Sequence, residues 1–200
     1  RRKGRGDLIM FQTIRNAFKI PDLRKRIWFT ILMLVIFRFG AHIPVPYLNA
    51  DFMKNFLTGG GMDLFSLFDV FTGGAFSNAT VMAMGVSPYI NASIIVQLLA
   101  VAIPALERMA KEGIEGRKKL NKITRYLGII LAFVQGAGLY VTLHNMGVAS
   151  GQGASAVFSN TGALGFFVIV LTFTAGTAFI VWLGELITEK GLGNGVSLII

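Results

Sequence analysis

Four long apolar stretches constrain the fold of this chain more than any other feature. They cover residues 27–46, 81–103, 127–143 and 163–183, and a fifth begins at 196 and runs to 200. A helix needs about 20 apolar residues to cross the hydrocarbon core of a bilayer. Only 14% of the residues are charged, whereas soluble domains carry about a quarter. The sequence therefore predicts an all-α, polytopic membrane helix bundle with four spans and the start of a fifth.

Residue types that carry chemistry are scarce. The chain has no cysteine, which excludes a disulfide framework, a thiolate metal site and a cysteine nucleophile. His42 and His144 are far apart in sequence, and Ser87 and Ser93 lack the Gly-x-Ser-x-Gly pattern of a nucleophilic serine. The glycine-rich run 191–195 lacks the Lys-Ser/Thr pair of a phosphate loop and predicts a turn instead. We therefore expect no enzymatic activity, no cofactor and no metal site.

The basic residues alternate along the chain in a way that predicts topology. Residues 1–26 carry nine Arg and Lys against two Asp, and residues 104–126 carry seven against three Glu. Residues 46–80 have one lysine, and residues 144–162 have no charge. Because basic loops stay in the cytoplasm, we expect the N-terminus and the loop 104–126 to be cytoplasmic and the other two loops to be external. The basic residues flank apolar spans, so we do not expect direct nucleic-acid binding.

The segment before the first span has its own pattern. Phe11, Ile14 and Phe18 recur at helical spacing, with Arg15 and Lys19 between them. This pattern predicts a short basic amphipathic helix within the N-terminal segment 1–26. It suits either the membrane surface or a docking surface on a partner, and the pattern leaves both open. The segment lacks the short apolar core and cleavage site of a signal peptide.

Residues 62–75 do not fit a simple span. Their apolar run is interrupted by Asp63, Ser66 and Asp69 and ends at the diglycine 73–74. The run is too short to cross a bilayer, and a spanning stretch follows it directly. Such a broken element at membrane depth is tolerated where protein buries it or where it lines a wet cavity. The segment predicts a cavity in the bundle, with a helix resting on the outer membrane surface as the alternative.

The second span carries polar and kinking residues. Pro88 predicts a kink because proline removes a helical hydrogen bond. Val86 and Ile90 are four residues apart and share a face. A ring of such aliphatic side chains can seal a pore by dewetting, although ordinary helix packing produces the same spacing. Three further polar residues should face protein or water at membrane depth: Asn91, Ser93 and Gln97.

Small residues in the later spans predict close helix packing. Gly128, Ala132 and Gly136 recur at four-residue spacing in the third span, and the fourth contains Thr172, Gly176 and Thr177. Small residues in this register let two helices approach closely.

Two other features have simple structural interpretations. The loop 104–126 predicts a solvated basic hairpin that turns at Gly113 and Gly116, and a docking role toward a motor or ribosome stays open. Arg38, inside the first span, should cap carbonyl groups or extend to an interface, with a pore-lining role as the alternative.

Several long motifs resemble one known family. They are LFSLFDVFTGGAFSNATVMAMGVSPYINASIIVQLL, KEGIEGRKKLNKITRY and WLGELITEKGLGNGVSLII, with FRFGAHIPVP in the first span. In this order they are similar to the SecY family, the channel-forming subunits of the bacterial Sec protein translocase, and the resemblance runs from about Met10 to Ile200. The family has ten spans in two inverted halves of five, which implies that this chain corresponds to the N-terminal half.

The resemblance implies roles for individual residues. The short helix at about 62–72 would be the plug of the channel, with these residues: Asp63, Leu64, Phe65, Leu67, Phe68, Val70 and Phe71. Val86, Ile90 and Ile200 would belong to the aliphatic pore ring, and valine at 86 replaces the commoner isoleucine with little change in volume. Asn91 and Gln97 would match polar positions of the lateral gate.

The resemblance also implies a function and partners. The full protein would pass unfolded preproteins across the bacterial plasma membrane and release transmembrane segments into its lipid. The implied partners are the SecE and SecG subunits, the SecA ATPase, the ribosome, and the preprotein with its signal peptide. Half of a secondary transporter is the alternative, because broken helices and inverted repeats occur there too. The lack of Asp or Glu in the spans before Glu185 disfavours it.

Overall fold

The computed structural model of the chain describes residues 20–58, 67, 69, 70, 72–149, 151 and 153–200. The described part is helical, with two isolated β-bridges and no longer strand. The predicted amphipathic helix of the N-terminal segment lies outside the described residues. The α-helices are α1 Pro21–Gly40, α2 Ala50–Thr58, α3 Ser87–Ala102, α4 Pro104–Lys111, α5 Ile114–Ala149, α6 Ala163–Lys190 and α7 Gly195–Ile199.

The longest helices, α5 and α6, pack against each other, and α3 packs against α5. By length and composition both α5 and α6 could cross a membrane, and α3 with α4 would make a third span if that bent pair is counted as one. The first predicted span corresponds to α1, which begins and ends earlier than predicted. This helix has three basic residues in its first turns, Arg24, Lys25 and Arg26, and a fourth, Arg38, in its last turn.

Small residues allow the close packing of α5, as predicted. Gly128, Ala132 and Gly136 are buried on this helix. A Cβ atom added to Gly128 would lie 3.5 Å from the Cα of Tyr89 on α3, and one added to Gly136 would lie 3.6 Å from the Met84 sulfur. The backbones therefore approach each other more closely than larger side chains would permit.

Gly176 on α6 lies very close to the segment 72–86, which precedes α3. A Cβ atom on Gly176 would overlap the carbonyl oxygen of Val81. Thr177 beside it is buried, as the predicted packing role requires. The neighbouring segment 72–86 is thus held directly against the centre of α6.

The second predicted span is only partly helical, which corrects the expectation of a kinked helix over 81–103. Residues 72–86 form successive turns, and α3 begins at Ser87 with Pro88 in its first turn. Proline is tolerated there because the first helical N–H groups have no intrahelical partner. Pro88 therefore starts a helix, and the chain bends by 103° at the break between α3 and α4.

The basic loop 104–126 is also more helical than predicted. It consists of α4, a turn at Gly113 with φ of +77°, and the first turns of α5. The predicted turn at Gly116 is wrong, because this residue lies inside α5. A Cβ atom there would overlap the carbonyl oxygen of Met109, so Gly116 lets α4 lie directly on α5.

The two loops predicted to be external lie together at one end of the bundle. Leu48 forms an isolated bridge with Phe158, and the backbone N–H of Asn49 donates to the Val157 carbonyl at 2.9 Å. The sequence did not predict α2, which follows Asn49 in this region and buries Met53. We call this the loop end.

The opposite end, which we call the basic end, contains α4, the start of α5 and the turn 191–194. Arg26 at the start of α1 donates to the Gly191 carbonyl there at 3.3 Å. The structure thus separates the basic loop 104–126 from the two loops that are poor in Arg and Lys, as the charge pattern predicted.

Candidate functional site: an aliphatic constriction

A small cavity brings together the three residues predicted to form the pore ring. Its volume is about 180 Å³, and Val86, Ile90 and Ile200 all contribute to its wall. They come from the start of α3 and from the residue that follows α7. The remaining lining residues are Phe37, Thr72, Met82, Gly85, Ser87 and Ile199.

The beginning of α3 positions two of these aliphatic side chains. The Val86 carbonyl accepts the backbone N–H groups of Tyr89 and Ile90, both at 3.0 Å, so Val86 caps the helix and Ile90 lies one turn further along. Val86 is 6% exposed, whereas Ile90 is 38% and Ile200 56% exposed. Val86 is therefore set into the bundle, and the two isoleucines form its open side.

Gly85 and Thr72 complete the wall, and sequence reasoning did not assign either of them to the site. Gly85 has φ of +57°, a backbone conformation that residues other than glycine rarely adopt. A Cβ atom there would lie 3.3 Å from Thr72 Cγ2. Thr72 is buried, and its Oγ1 donates to the Asp69 carbonyl at 3.1 Å. The glycine in the Gly-Val-Ser-Pro run was the available signal for this tight turn.

The segment predicted to be the plug leads directly into Thr72. Leu67, Asp69 and Val70 are helical where described, and Leu67 and Val70 are exposed. The other predicted plug residues lie outside the described residues: Asp63, Leu64, Phe65, Phe68 and Phe71. The plug assignment therefore stays a prediction.

Arg38 binds the backbone just after this segment, which confirms that it caps a carbonyl group. Its Nη1 donates to the Gly73 carbonyl at 3.1 Å. Gly73 and Gly74 have φ of +63° and +81°, so the diglycine forms the tight turn at this point. Asp69 braces the same turn through its Oδ1, which accepts the Ser77 N–H at 2.8 Å.

A larger cavity of about 800 Å³ opens toward the basic end. Its wall includes Ile90, Ser93, Gln97, Glu185 and Glu189, so it shares Ile90 with the constriction. Gln97 Nε2 donates to Ser93 Oγ at 3.1 Å. The two cavities place a polar chamber beside an aliphatic one.

The two residues predicted for the lateral gate do not lie together. Gln97 lines the large cavity, whereas Asn91 lines a separate groove of about 320 Å³ with Leu131 and Gln135 of α5. Their six-residue separation on α3 turns them to different faces. The gate assignment therefore stays a prediction for each residue separately.

The described residues contain no cluster of three or more His, Asp or Glu side chains that could hold a metal ion. What the site presents is a larger cavity with several polar and charged side chains next to a smaller, largely apolar one. Such an arrangement can seal or admit a chain without covalent chemistry.

Comparisons with known proteins identify the family of the chain. The SecY family model matches residues 80–200. The protein translocase subunit SecY of Aquifex aeolicus is 45% identical over 192 residues, which are 96% of this chain and 44% of that protein. The chain thus spans less than half the length of this curated relative.

Solved structures share the fold at low sequence identity. Sec61 in the canine ribosome–channel complex from the endoplasmic reticulum is 20% identical with a TM-score of 0.58, covering 88% of this chain and 35% of its own. A SecY structure in which the plug domain stabilises the closed state of the translocation channel is also similar. It is 19% identical to this chain, with a TM-score of 0.52. That match covers 88% of this chain and 34% of the other.

The fold and its long apolar helices define a multi-pass helical membrane protein. The chain belongs to the SecY family. This membership confirms the predicted multi-pass membrane bundle, and it does not support the alternative of a secondary transporter.

Proposed function

We propose that this chain is the N-terminal half of a SecY subunit that forms the protein-conducting channel of a bacterial plasma membrane. The observation that carries the proposal is the convergence of Val86, Ile90 and Ile200 on one cavity. In this proposal residues 27–200 build one half of the channel bundle. The other half supplies the rest of the aliphatic ring.

The ring works through the physics of a narrow apolar passage. Water and ions leave a constriction lined by aliphatic side chains because it offers them no hydrogen bonds. Val86, Ile90 and Ile200 can also pack around an unfolded polypeptide of any sequence, since they present no fixed polar partner. The same residues therefore block ions at rest and tolerate a passing chain.

The plug closes this passage from the loop end. The plug segment 62–72 ends at Thr72, which lines the constriction, and the diglycine turn follows it. The resemblance of the plug motif and the SecY structure with a plug domain support this assignment. A plug held mainly by apolar contacts can leave without breaking ion pairs, so its displacement opens the channel.

The lateral gate gives a signal helix its access. Gln97 lines the large cavity and Asn91 a separate groove, and both are polar residues that the other half of the channel would cover. A signal helix that enters there stabilises the open state by its greater affinity for that state, which shifts the closed–open equilibrium. Transmembrane segments would leave for lipid by the same route.

The partners follow from the family and from the sidedness of the charges. We propose that the basic end faces the cytoplasm, with the N-terminus on that side. There it would meet the SecA ATPase or the ribosome, and one relative of this fold is in a ribosome–channel complex. SecE and SecG would complete the channel, and the preprotein is its substrate.

The test is ion conductance of the full-length channel in planar bilayers. Replacing Val86 and Ile90 together by glycine should raise the resting conductance several-fold, because a widened constriction admits water. Leu98→Gly on the same helix is the matched control, since Leu98 is 66% exposed and lies outside the constriction. Equal conductance of the double variant and the control would contradict the ring assignment.

A further inference from the structure

Arg38 stands out as a charged residue in an apolar stretch of α1. Ionisable side chains at membrane depth are costly and pair with other groups or with backbone carbonyls. No ion pair of Arg38 occurs among the described residues. Its side-chain partner there is the carbonyl oxygen of Gly73, at 3.1 Å from Nη1. The contact joins α1 to a turn 35 residues later in the chain.

The turn that receives this hydrogen bond is built for one geometry. The Gly74 N–H donates to the Asp69 carbonyl at 2.9 Å, and the Asp69 carboxylate accepts the Ser77 N–H at 2.8 Å. The Phe76 N–H donates to Thr72 Oγ1 at 3.3 Å. These bonds stabilise the turn internally, but none of them connects it to α1.

Arg38 makes that connection next to the constriction. Phe37, its neighbour on α1, lines the same cavity as Thr72. In one turn of α1, Phe37 therefore lines the cavity and Arg38 binds the carbonyl of Gly73, the residue after Thr72.

Ala75, just after the turn, belongs to the same buried apolar cluster as Ala41, and Phe37 packs against that cluster. Apolar packing therefore also holds this region near α1, and the Arg38 hydrogen bond is the polar contact at the turn itself.

We propose that Arg38 is a positioning residue that ties the turn 72–74 to α1 and keeps Thr72 in the wall of the constriction. The positional claim stands on the contacts alone. Its consequence for ion leak rests on the proposed channel function. Arginine suits the role because its guanidinium stays charged and presents several donors.

This chain has no native cysteine, and any cysteine elsewhere in the full-length protein is first replaced by serine, so that only the introduced thiol is labelled. Ala75 is 1% exposed and follows the turn directly, so an Ala75→Cys thiol should be protected while the turn is held. The rate of its modification by a small maleimide is measured in the purified full-length protein. With Arg38→Met we expect this rate to rise several-fold, because the turn loses its hydrogen bond from a charged donor, although that bond is solvent-exposed.

Three further variants separate positioning from general damage. Arg38→Lys retains the charge and a donor, so the Ala75→Cys thiol should be labelled at nearly the original rate. Arg38→Gln has a shorter side chain and should also raise the rate. It replaces Arg38→Met as the test variant if Arg38→Met does not fold. Arg26→Met is the matched control. Arg26 lies near the opposite end of α1 from Arg38 and also donates to a backbone carbonyl, that of Gly191. The Arg26→Met variant should leave the labelling of the Ala75→Cys thiol unchanged.

Two labelling results would overturn the inference. One is an unchanged rate in both Arg38→Met and Arg38→Gln, and the other is an equal rise in Arg26→Met. Resting conductance is measured in parallel. Faster labelling without any ion leak would uphold the positioning role of Arg38 and count against the proposed sealing function, so the two failures are distinguishable.

Discussion

Arg125 on α5 and Glu185 on α6 form an ion pair, with Nη1 3.0 Å from Oε2, at the side of the large cavity that includes Glu185. Both side chains are about one third exposed. The pair joins the two longest helices near the basic end. It fixes the spacing of the helices where the chamber opens.

We predict that this pair contributes measurable coupling to stability. Glu185→Gln and Arg125→Gln should each lower the unfolding temperature of the purified protein. A double-mutant cycle should give a coupling of about 1 kcal/mol, since solvent screens a pair of this exposure. The Lys119–Glu112 pair, at 3.4 Å and more exposed, is the control and should couple near zero. Equal coupling of the two pairs would contradict the prediction.

Gly176→Ala should destabilise the bundle through a steric clash. The added methyl would overlap the Val81 carbonyl oxygen, and overpacking of this kind costs about 1–3 kcal/mol. Gly138→Ala on α5 is the comparison, because its Cβ would meet no atom within 4 Å. There alanine should stabilise by up to about 1 kcal/mol, since it restricts the unfolded chain. Thermal unfolding in detergent measures both, and a neutral Gly176→Ala would show that the segment 72–86 is not held against α6.

Asn194→Ala should loosen α7, the short helix that precedes Ile200. Asn194 Oδ1 accepts the backbone N–H groups of Val196 and Ser197 at 3.1 and 3.4 Å, so it is the N-cap of α7. Loss of such a cap costs about 1 kcal/mol. Because Ile200 follows α7, resting conductance should also rise. Asn194→Asp keeps the acceptor and should retain stability and the seal, and a leak as large as that of alanine would refute the capping explanation.

The helical spans and their packing were predictable because their signals are local. Apolar length predicted α5 and α6, and four-residue spacing of small residues predicted the contacts of Gly128 and Gly136. The charge alternation predicted which loops share an end. Each of these depends on composition or on spacing within one helix, which the sequence displays directly.

Other elements were not predictable in the same way. Hydropathy over 81–103 resembled a continuous span, yet the contact of Gly176 with Val81 favours turns up to residue 86. Gly116 resembled a loop residue because its packing partner, Met109, belongs to another helix. The short helix α2 is amphipathic, but its nine residues are too few to cross a membrane, so apolar length does not predict it.

The sequence by itself determined that this chain forms apolar helices separated by loops of alternating charge, because hydrophobic length and charge placement act on each segment separately. Only the tertiary structure decided that Val86, Ile90 and Ile200 share a cavity, and that Arg38 holds the turn at Gly73. Those relationships join residues far apart in the chain. They depend on how closely the helix backbones approach each other. Side-chain shape determines that distance, and the periodicity of the sequence does not reveal it.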